Sequence, residues 1–477
     1  MSTSPTTAPA SSDRLKITEY VGYALGDTAS NFFFQTFAMF QIVFYTDVWK
    51  IPAGKLMLLL PLVRVIGMFD DPLIGLIADR TNSRWGKFRP YLLFGAIPYG
   101  ICGYLMFAAP NLSPAAKLVY AGITYACMLT SYSVINVPYS SMLGVISPSS
   151  RTRGVASSFR FVGAFGGGLL VSLLAQPLVE QLGGEDKALG WRLTMAIFAV
   201  VSVLMFWITF ATTRERVAPP PQQKSNVREE LGELFRNGPC MLILLSSLLA
   251  VTYFFLRGGS AIYYYKYVVE NDTTAVFQIG SLKLNHSTVF LSSGMLSLMV
   301  GTALIGRVMR KIDKKNYASV LSAVAGLSFA SFYILPKDNF GLQLAVNALA
   351  QLCAGPVAAI TWAIYGDVAD YGEWKFGRRS TGLVYSASLF AIKTGVMVSG
   401  FLLPWFLSAF GYDETQAHQT GTAKHGIVLA FSLAPGLCGL LNAAALLKFP
   451  LGQKHMDEIE HDLAARHAAA TPKMEPA

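Results

Sequence analysis

Residues 64–90 read RVIGMFDDPLIGLIADRTNSRWGKFRP, and this stretch tells more about the fold than any other. The adjacent acids Asp70 and Asp71 lie inside an apolar run, because LIGLIA continues that run beyond Pro72. An ionised side chain at the centre of a membrane helix costs ~2.5–3.5 kcal/mol on insertion scales. The alternative, that the acids cap a short helix before Pro72, leaves the apolar continuation unexplained. The stretch therefore indicates a membrane helix that holds buried acids and ends in a basic loop.

The composition of the 477 residues is that of a polytopic membrane protein. Hydrophobic residues make up 53% of the chain and charged residues 14%, and the mean hydropathy is +0.44. The five cysteines stand singly in apolar runs, without the paired spacing of a metal site or a disulfide framework. The net charge of +10 is not gathered in a compact basic domain. We predict no metal site and no nucleic-acid partner.

Twelve apolar runs of about 20 residues, long enough to cross a bilayer, form two sets of six. We predict helices near 17–47, 54–79, 88–109, 115–146, 152–181, 190–213, 238–269, 285–311, 316–336, 341–370, 379–410 and 424–450. The polar segment 214–237 contains a triple proline and links bundle 17–213 to bundle 238–450, and tails occupy 1–16 and 451–477. The predicted fold class is an all-α membrane protein with two six-helix bundles.

The positions of Lys and Arg predict the orientation. About 25 of the 38 basic residues lie in the two tails and in the loops after even-numbered helices, and about nine lie in the opposite loops. Positive charge is retained in the cytosol, so we predict a multi-pass protein of the bacterial inner (plasma) membrane with both termini cytosolic. The first tail lacks the apolar core of a signal peptide. The last tail, HMDEIEHDLAARHAA, has amphipathic helical spacing.

Seven ionisable side chains fall inside the predicted spans, and they come from both halves of the chain. They are Asp27, Arg64, Asp70, Asp71, Arg160, Arg257 and Lys393. At ~3 kcal/mol each, they would cost on the order of 20 kcal/mol if they faced lipid, so they must face one another or water. A central aqueous cavity between the halves would satisfy them all. A purely structural network of ion pairs is the alternative.

The fourth predicted helix adds uncharged polar groups at a comparable depth. Tyr132 and Asn136 lie one turn apart on one face. An aromatic face with hydroxyl and amide groups suits a polyhydroxylated ligand, although the same residues could simply pack between helices. Arg64 and Asp71, seven residues apart, also share a face, so Arg64 would hold Asp71 ionised.

Two further features lie near the membrane surfaces. Tyr263, Tyr264 and Tyr265 near the external interface predict an aromatic belt, with an outer gate as the alternative. Acids at the end of the tenth helix are opposite in charge to the bases after the second, which predicts a cytosolic latch between the halves. The latch residues are Arg84, Lys87, Arg89, Asp370 and Glu373.

Four motifs together resemble the glycoside-pentoside-hexuronide:cation symporters, a family of the major facilitator superfamily. They are DDPLIGLIADRTNSRWGKFRPYLL, YTDV after the first helix, DYGEWKFGRRS and AIKTG. The match extends over nearly the whole chain. It implies the major facilitator fold, with a central cavity between the two bundles. It also implies cation-coupled uptake of a sugar or glycoside by alternating access.

The resemblance also implies which residues form the site. Asp71 matches the acid of the second helix that family members use for cation coupling. Lys393 matches a lysine at the sugar and cation site. Arg160 and Tyr132 match residues of the sugar site.

Other positions depart from the family pattern. Thr28 occupies the place of a sugar-binding aspartate and Asp27 that of a neighbouring lysine, and a shift of one residue would put Asp27 at the sugar site. Asn136 replaces an acid of the sugar site, and Gly67 replaces a second carboxylate of the cation site. We therefore expect Asp27, Thr28 and Asn136 to bind substrate with a changed set of polar groups.

The missing carboxylate bears on the coupling ion. A hard cation wants several oxygen ligands and compensating charge, whereas one acid can carry a proton. We predict proton coupling at Asp71, with Na⁺ near Asp71 and Asp70 as the alternative, and no other cofactor. The predicted partners are a sugar or glycoside, the cation and the lipid bilayer, with the carrier as a monomer.

Two other classes of protein are alternatives to a sugar carrier. A related carrier of a lipid-like substrate should expose a lateral apolar groove rather than a closed polar cavity. The other class is a non-transporting sensor or a membrane enzyme. We predict that the protein is not an enzyme, because the sequence lacks a nucleophile and base pair, or a metal cluster, at workable spacing. All six histidines lie in outer loops, at helix ends or in the tail.

Overall fold

The structure is a computed structural model of the 477-residue chain. It describes residues 15–67, 70–147, 150–216, 236–272, 274–279, 282–308, 313–376 and 381–470. Most of the predicted linker 214–237, nearly all of the first tail and the end of the last tail lie outside these residues. The chain divides into two compact units. The first comprises Met1–Phe37, Leu62–Gln222 and Gly280–Leu282, and the second comprises Ala38–Pro61, Gln223–Ile279 and Lys283–Ala477.

Most of the described residues of the first unit lie in helices. Its helices are α1 (Ile17–Val43, whose last turns belong to the second unit), α2 (Ala53–Gly67, which likewise begins in the second unit), α3 (Asp70–Arg80), α4 (Arg89–Phe94), α5 (Ala96–Met106), α6 (Pro114–Val145), α7 (Ser150–Gly183) and α8 (Lys187–Thr212). The starts of the long helices follow their sequences. Ser113 caps α6 ahead of Pro114, and the Asp186 carboxylate accepts a hydrogen bond from the Leu189 amide at the start of α8. Helix α5 packs against α6 and α8, and α3 packs against α6.

The second unit contains the remaining helices and one small sheet. Its elements are α9 (Gly238–Tyr263), β1 (Ala275–Ile279), β2 (Leu282–Asn285, whose first residue groups with the first unit), α10 (His286–Val308), α11 (Lys314–Ser331), α12 (Phe340–Phe376), α13 (Thr381–Ala409), α14 (Gly421–Phe431), α15 (Leu433–Leu447) and α16 (Gln453–Ala470). Strands β1 and β2 pair with each other. Short π-helical turns extend α1 through Phe44–Val48 and α9 through Tyr264–Val269.

A buried apolar cluster joins the tail helix to the rest of the second unit. Met456, Ile459 and Leu463 of α16 share this core with Ile360 and Ile364 of α12. The apolar stripe of α16 is thus buried, while the acids and bases of its other face remain outside. The prediction of an amphipathic helix in the tail is confirmed.

Eight helical segments among the described residues are long and apolar enough to cross a membrane. They are Pro114–Val145, Val155–Gly183, Lys187–Thr212, Gly238–Val269, His286–Leu304, Phe340–Phe376, Ser386–Ala409 and Gly421–Leu447. Most described residues of the other predicted spans are also helical, in α1, α2 with α3, α4 with α5, and α11. The number of twelve crossings stays a prediction.

Candidate functional site

An ion pair inside the first unit joins two of the predicted substrate residues. The Arg160 Nε of α7 donates to the Asp27 Oδ2 of α1 at 2.9 Å, and Arg160 Nη2 donates to Ser140 Oγ at 3.1 Å. The guanidinium also lies over the Tyr139 ring, 5.0 Å from its centroid. The Asp27 side chain is only 11% exposed. This ion pair is therefore largely buried between α1, α6 and α7.

Two tyrosines hold α1 and α6 together beside this pair. The Tyr139 hydroxyl donates to the Tyr23 carbonyl at 2.6 Å, the Tyr23 hydroxyl donates to the Tyr139 carbonyl at 3.3 Å, and the two rings stack. The Thr28 hydroxyl donates to the carbonyl of Gly163 at 2.9 Å, which links α1 to α7. Thr28 thus lies next to Asp27, with its hydroxyl proton engaged in helix packing.

Tyr132 and Asn136 of α6 form the polar and aromatic part of the site. The Asn136 Nδ2 donates to the Tyr132 hydroxyl at 3.0 Å, and the Tyr132 ring stacks on Phe34. The buried Asn136 Oδ1 has no hydrogen-bond partner among the described residues. Asp27, Arg160 and Asp71 all lie close enough to the Tyr132 hydroxyl to act on it electrostatically. The Asn136 Oδ1 is therefore a buried acceptor that remains unused beside Tyr132.

The candidate cation residues lie at the start of α3 and in the second unit. Asp70 and Asp71 occupy the first turn of α3, and Thr130 of α6 donates to Asp70 Oδ2 at 2.6 Å. The Arg64 guanidinium lies over the Tyr125 ring, 5.5 Å from its centroid. The pairing of Arg64 with Asp71 stays a prediction. Lys393 is half-buried in α13 of the second unit, and its role stays a prediction as well.

The basic loop after α3 is organised by an acid that the sequence analysis did not single out. The Glu215 carboxylate accepts the backbone N–H groups of Lys87 at 2.9 Å, Phe88 at 2.7 Å and Arg89 at 3.0 Å. Arg89 also donates to the carbonyl of Phe210 at 2.6 Å. Arg84 lies over the ring of its neighbour Trp85. The loop is thus fixed within the first unit.

The acids proposed for the latch lie in the last turns of α12. Asp370 and Glu373 both precede the end of this helix at Phe376. One turn before Asp370, Asp367 pairs with Lys314 at 3.0 Å. The latch itself stays a prediction.

A second polar cluster, which was not predicted from the sequence, surrounds Asp47, the acid of the YTDV motif. Its carboxylate accepts hydrogen bonds from Lys266 Nζ, from the Tyr267 hydroxyl at 2.6 Å and from the Tyr412 hydroxyl. Burial, with the nearby Asp47 charge, raises the pKa of Tyr412 far above its usual range, so this phenol stays protonated and can donate. The cluster ties the end of α1 to α9 and α13. Only the YTDV match hinted at it, because its partners are remote in sequence.

The three consecutive tyrosines of α9 and its π-helical turn correct one prediction. Tyr263, Tyr264 and Tyr265 are fully buried. The Tyr263 hydroxyl shares a hydrogen bond with Thr46, the Tyr265 hydroxyl donates to Gln343, and the Tyr264 ring stacks on Phe431. A belt requires side chains that face lipid, so the predicted aromatic belt is wrong. The Tyr263 and Tyr265 hydroxyls and the Tyr264 ring thus have partners within the second unit, which they help to hold together.

Arg257 has surroundings that its position in the sequence predicts only in part. The sequence predicts that it faces other charges or water in one central cavity. Phe329, Phe332 and Phe431 instead surround its guanidinium within the second unit. Cation–π attraction to these aromatic faces offsets part of the cost of burying its charge.

Comparison with known proteins defines the class of protein. Residues 22–453 match the family described as MFS/sugar transport protein. The inner membrane symporter YicJ of Escherichia coli strain K12 is 35% identical over 438 residues, which cover 91% of each chain. The isoprimeverose transporter of Lactiplantibacillus pentosus is 31% identical over 98% of this chain and 95% of that protein. The solved nucleoside transporter NupG shares the fold, with a TM-score of 0.62 at 15% identity over 90% of this chain and 100% of that chain.

These findings first establish an all-α, multi-pass membrane transporter of the major facilitator type, and not an enzyme. The chain belongs to the MFS/sugar transport protein family. The resemblance read from its motifs is therefore confirmed.

Proposed function

We propose that this protein takes a sugar or glycoside into the cell together with a cation, by alternating access. The observation that carries the proposal is the Asp27–Arg160 ion pair inside membrane-spanning helices, beside Tyr132 and Asn136. A buried ion pair is rarely more stabilising than apolar packing of the same volume, so a binding role best explains its presence. The names of the relatives, a symporter and an isoprimeverose transporter, support the same function.

In the proposed substrate site, each side chain makes a contact with the sugar that suits its chemistry. Asp27 and Arg160 bind hydroxyl groups in directional pairs, and the Asn136 Oδ1 accepts from another hydroxyl. The Tyr132 ring stacks on the apolar face of the sugar. Thr28 borders this site through its place beside Asp27. Lys393 contributes from the other bundle.

The proposed architecture is the predicted one. Twelve helices form bundles 17–213 and 238–450 around a central cavity, joined by the linker 214–237. The carrier is a monomer of the inner membrane with both termini in the cytosol. The basic loop and the acids of α12 latch the cytosolic side when it closes.

The proposed coupling ion is the proton, carried by Asp71. Sodium is the second candidate, and it is supported by the oxygens of the Asp70 carboxylate and of the Thr130 hydroxyl that donates to it. In either case, rocking of the carrier requires that the cation and sugar sites be both occupied or both empty. That requirement makes uptake concentrative.

The test compares Asp71→Asn with the matched variant Asp70→Asn in membrane vesicles with an imposed pH or sodium gradient. A panel of radiolabelled sugars first identifies one that the wild type accumulates. Asp71→Asn should abolish accumulation and leave exchange intact, because an amide cannot carry the proton, while Asp70→Asn should retain pH-driven accumulation. Full accumulation by Asp71→Asn would refute the coupling role. Uptake that ignores collapse of the pH gradient and needs Asp70 would assign sodium instead.

A further inference from the structure

Arg257 of α9 is a buried cation that its protein surroundings satisfy only in part. Its residue is 2% exposed, and a guanidinium keeps its charge at any physiological pH. The rings of Phe431, Phe332 and Phe329 lie 4.3, 4.4 and 4.6 Å from its carbon, and its Nη1 donates to the Phe431 carbonyl at 2.7 Å. In the part of the chain that the structure describes, no carboxylate pairs with it. The aromatic rings attract the positive charge of Arg257, but they accept no conventional hydrogen bond from its other N–H groups.

Unused donors and unused acceptors meet around one cavity of the second unit. Arg257 Nε and Nη2, Asn347 Oδ1 and Gln351 Oε1 are buried and have no hydrogen-bond partner among the described residues. All three residues line a cavity of about 30 Å³, which has room for about two water-sized groups. Asn347 Nδ2 donates to the Phe290 carbonyl at 3.0 Å, so the Oδ1 is the free end of this amide.

Gly294 of α10 keeps this cavity open. A Cβ atom on Gly294 would lie 3.0 Å from Asn347 Nδ2 and 3.4 Å from Gln351 Cγ. The first of these contacts is tighter than ordinary packing, so a side chain here would press on the Asn347 amide and lie against Gln351.

The mixture of donors and acceptors selects the ligand. A cation would be repelled by Arg257, and a simple anion would face two amide oxygens. A hydroxyl group accepts from the guanidinium and donates to an amide oxygen, so it satisfies both sides. We infer that Arg257, Asn347 and Gln351 form a subsite for one or two hydroxyl groups. Water supplies them in the empty carrier, and a sugar hydroxyl displaces that water in the loaded one, a step that rests on the proposed function.

Radiolytic footprinting of the full-length protein in lipid nanodiscs tests whether water occupies this cavity. Met39 and Met295 line the cavity and are 4% and 5% exposed. Water held beside them produces hydroxyl radicals in place, so both should be oxidised severalfold faster than Met128 and Met142, which are buried elsewhere. Asn347→Leu and Gly294→Ala should each lower that oxidation severalfold. Two variants are used because either could fail to fold. Met295 as unreactive as Met128 in the wild type would overturn the subsite.

The sugar arm uses D-xylose, methyl α-D-glucopyranoside and D-glucuronate as probes. A probe that wild-type vesicles accumulate should protect Met295 at saturation, and Asn347→Leu should raise its KM about tenfold, as loss of one bond of ~1.4 kcal/mol predicts. Unchanged oxidation with a transported probe would overturn the sugar step and assign the cavity to water alone. If vesicles accumulate no sugar at all, the proposed function fails, while the hydration result still decides the subsite.

Discussion

The carboxylate of Asp27 and the guanidinium of Arg160 neutralise each other where little water reaches. Removing one partner leaves the other charge uncompensated, which costs ~3–5 kcal/mol for fully buried pairs. The Arg160 side chain is 23% exposed, so we expect a loss of about 2 kcal/mol for Asp27→Asn or Arg160→Gln alone. The double variant should recover part of that loss, because no lone charge remains.

Unfolding free energies in mixed micelles measure these losses. Thr28→Val is the matched control, since it removes one neutral hydrogen bond from the same helix and should cost about 1 kcal/mol or less. A double variant whose loss equals the sum of the single losses would show that the two charges do not interact.

Single residues also show where sequence reasoning succeeds. Asp27 and Arg160 could be selected because charges are costly in apolar helices. Their mutual pairing, and the phenylalanine rings around Arg257, depend on which helices adjoin, and no spacing along the chain encodes that. Phe329 and Phe431 are 102 positions apart in the sequence, yet both contact the same guanidinium.

Among the elements, the loop between α3 and α4 depends on the backbone conformation of one glycine and on the carboxylate of one acid. Gly86 has φ +107°, which a side chain disfavours, and a Cβ there would lie 2.5 Å from Glu215 Oε1. Hydrogen bonds to a charged acceptor contribute ~1.5–3 kcal/mol each. Glu215→Gln should therefore speed hydrogen exchange at the amides of Lys87, Phe88 and Arg89 by about tenfold or more.

Gly86→Ala should have the same effect on these amides, because the methyl group displaces the carboxylate. Arg84→Gln, in the same loop, should leave them unchanged, since Arg84 lies on the Trp85 ring. Native-state exchange read by mass spectrometry measures all three variants. Equal exchange in Glu215→Gln and wild type would mean that this acid does not hold the loop.

The positions of the long helices follow most directly from the sequence. Apolar runs of sufficient length located α6 to α10 and α12 to α15 closely, because hydrocarbon tolerates few alternatives to a helix. The π-helical turns after α1 and α9 and the hairpin of β1 and β2 were not predicted. These elements depend on local tertiary contacts, such as those of Tyr263 and Tyr265, rather than on the spacing of apolar residues along the sequence.

For the molecule as a whole, the contacts of residues 38–61 bear most directly on the proposed movement of the two bundles. The end of α1 and the start of α2 belong to the second unit, although the sequence assigns them to the first predicted bundle. Asp47 is bound by Lys266, Tyr267 and Tyr412, between 219 and 365 positions away. Sequence motifs could mark Asp47, but not its partners. If the proposed bundles rock against each other, these contacts must break and re-form in each cycle.

A disulfide between Gly54 and Ser408 tests that requirement. A Cβ built on Gly54 lies 3.7 Å from the Cβ of Ser408, which matches the usual ~3.5–4.5 Å separation across a disulfide. Oxidised Gly54→Cys/Ser408→Cys protein should lose net uptake, because the start of α2 can no longer leave α13, and reduction should restore it. Each single cysteine variant under the same oxidant controls for the five native cysteines. Cross-linked carrier that still accumulates sugar at the wild-type rate would contradict opening at this end, since the bond holds these helices together throughout.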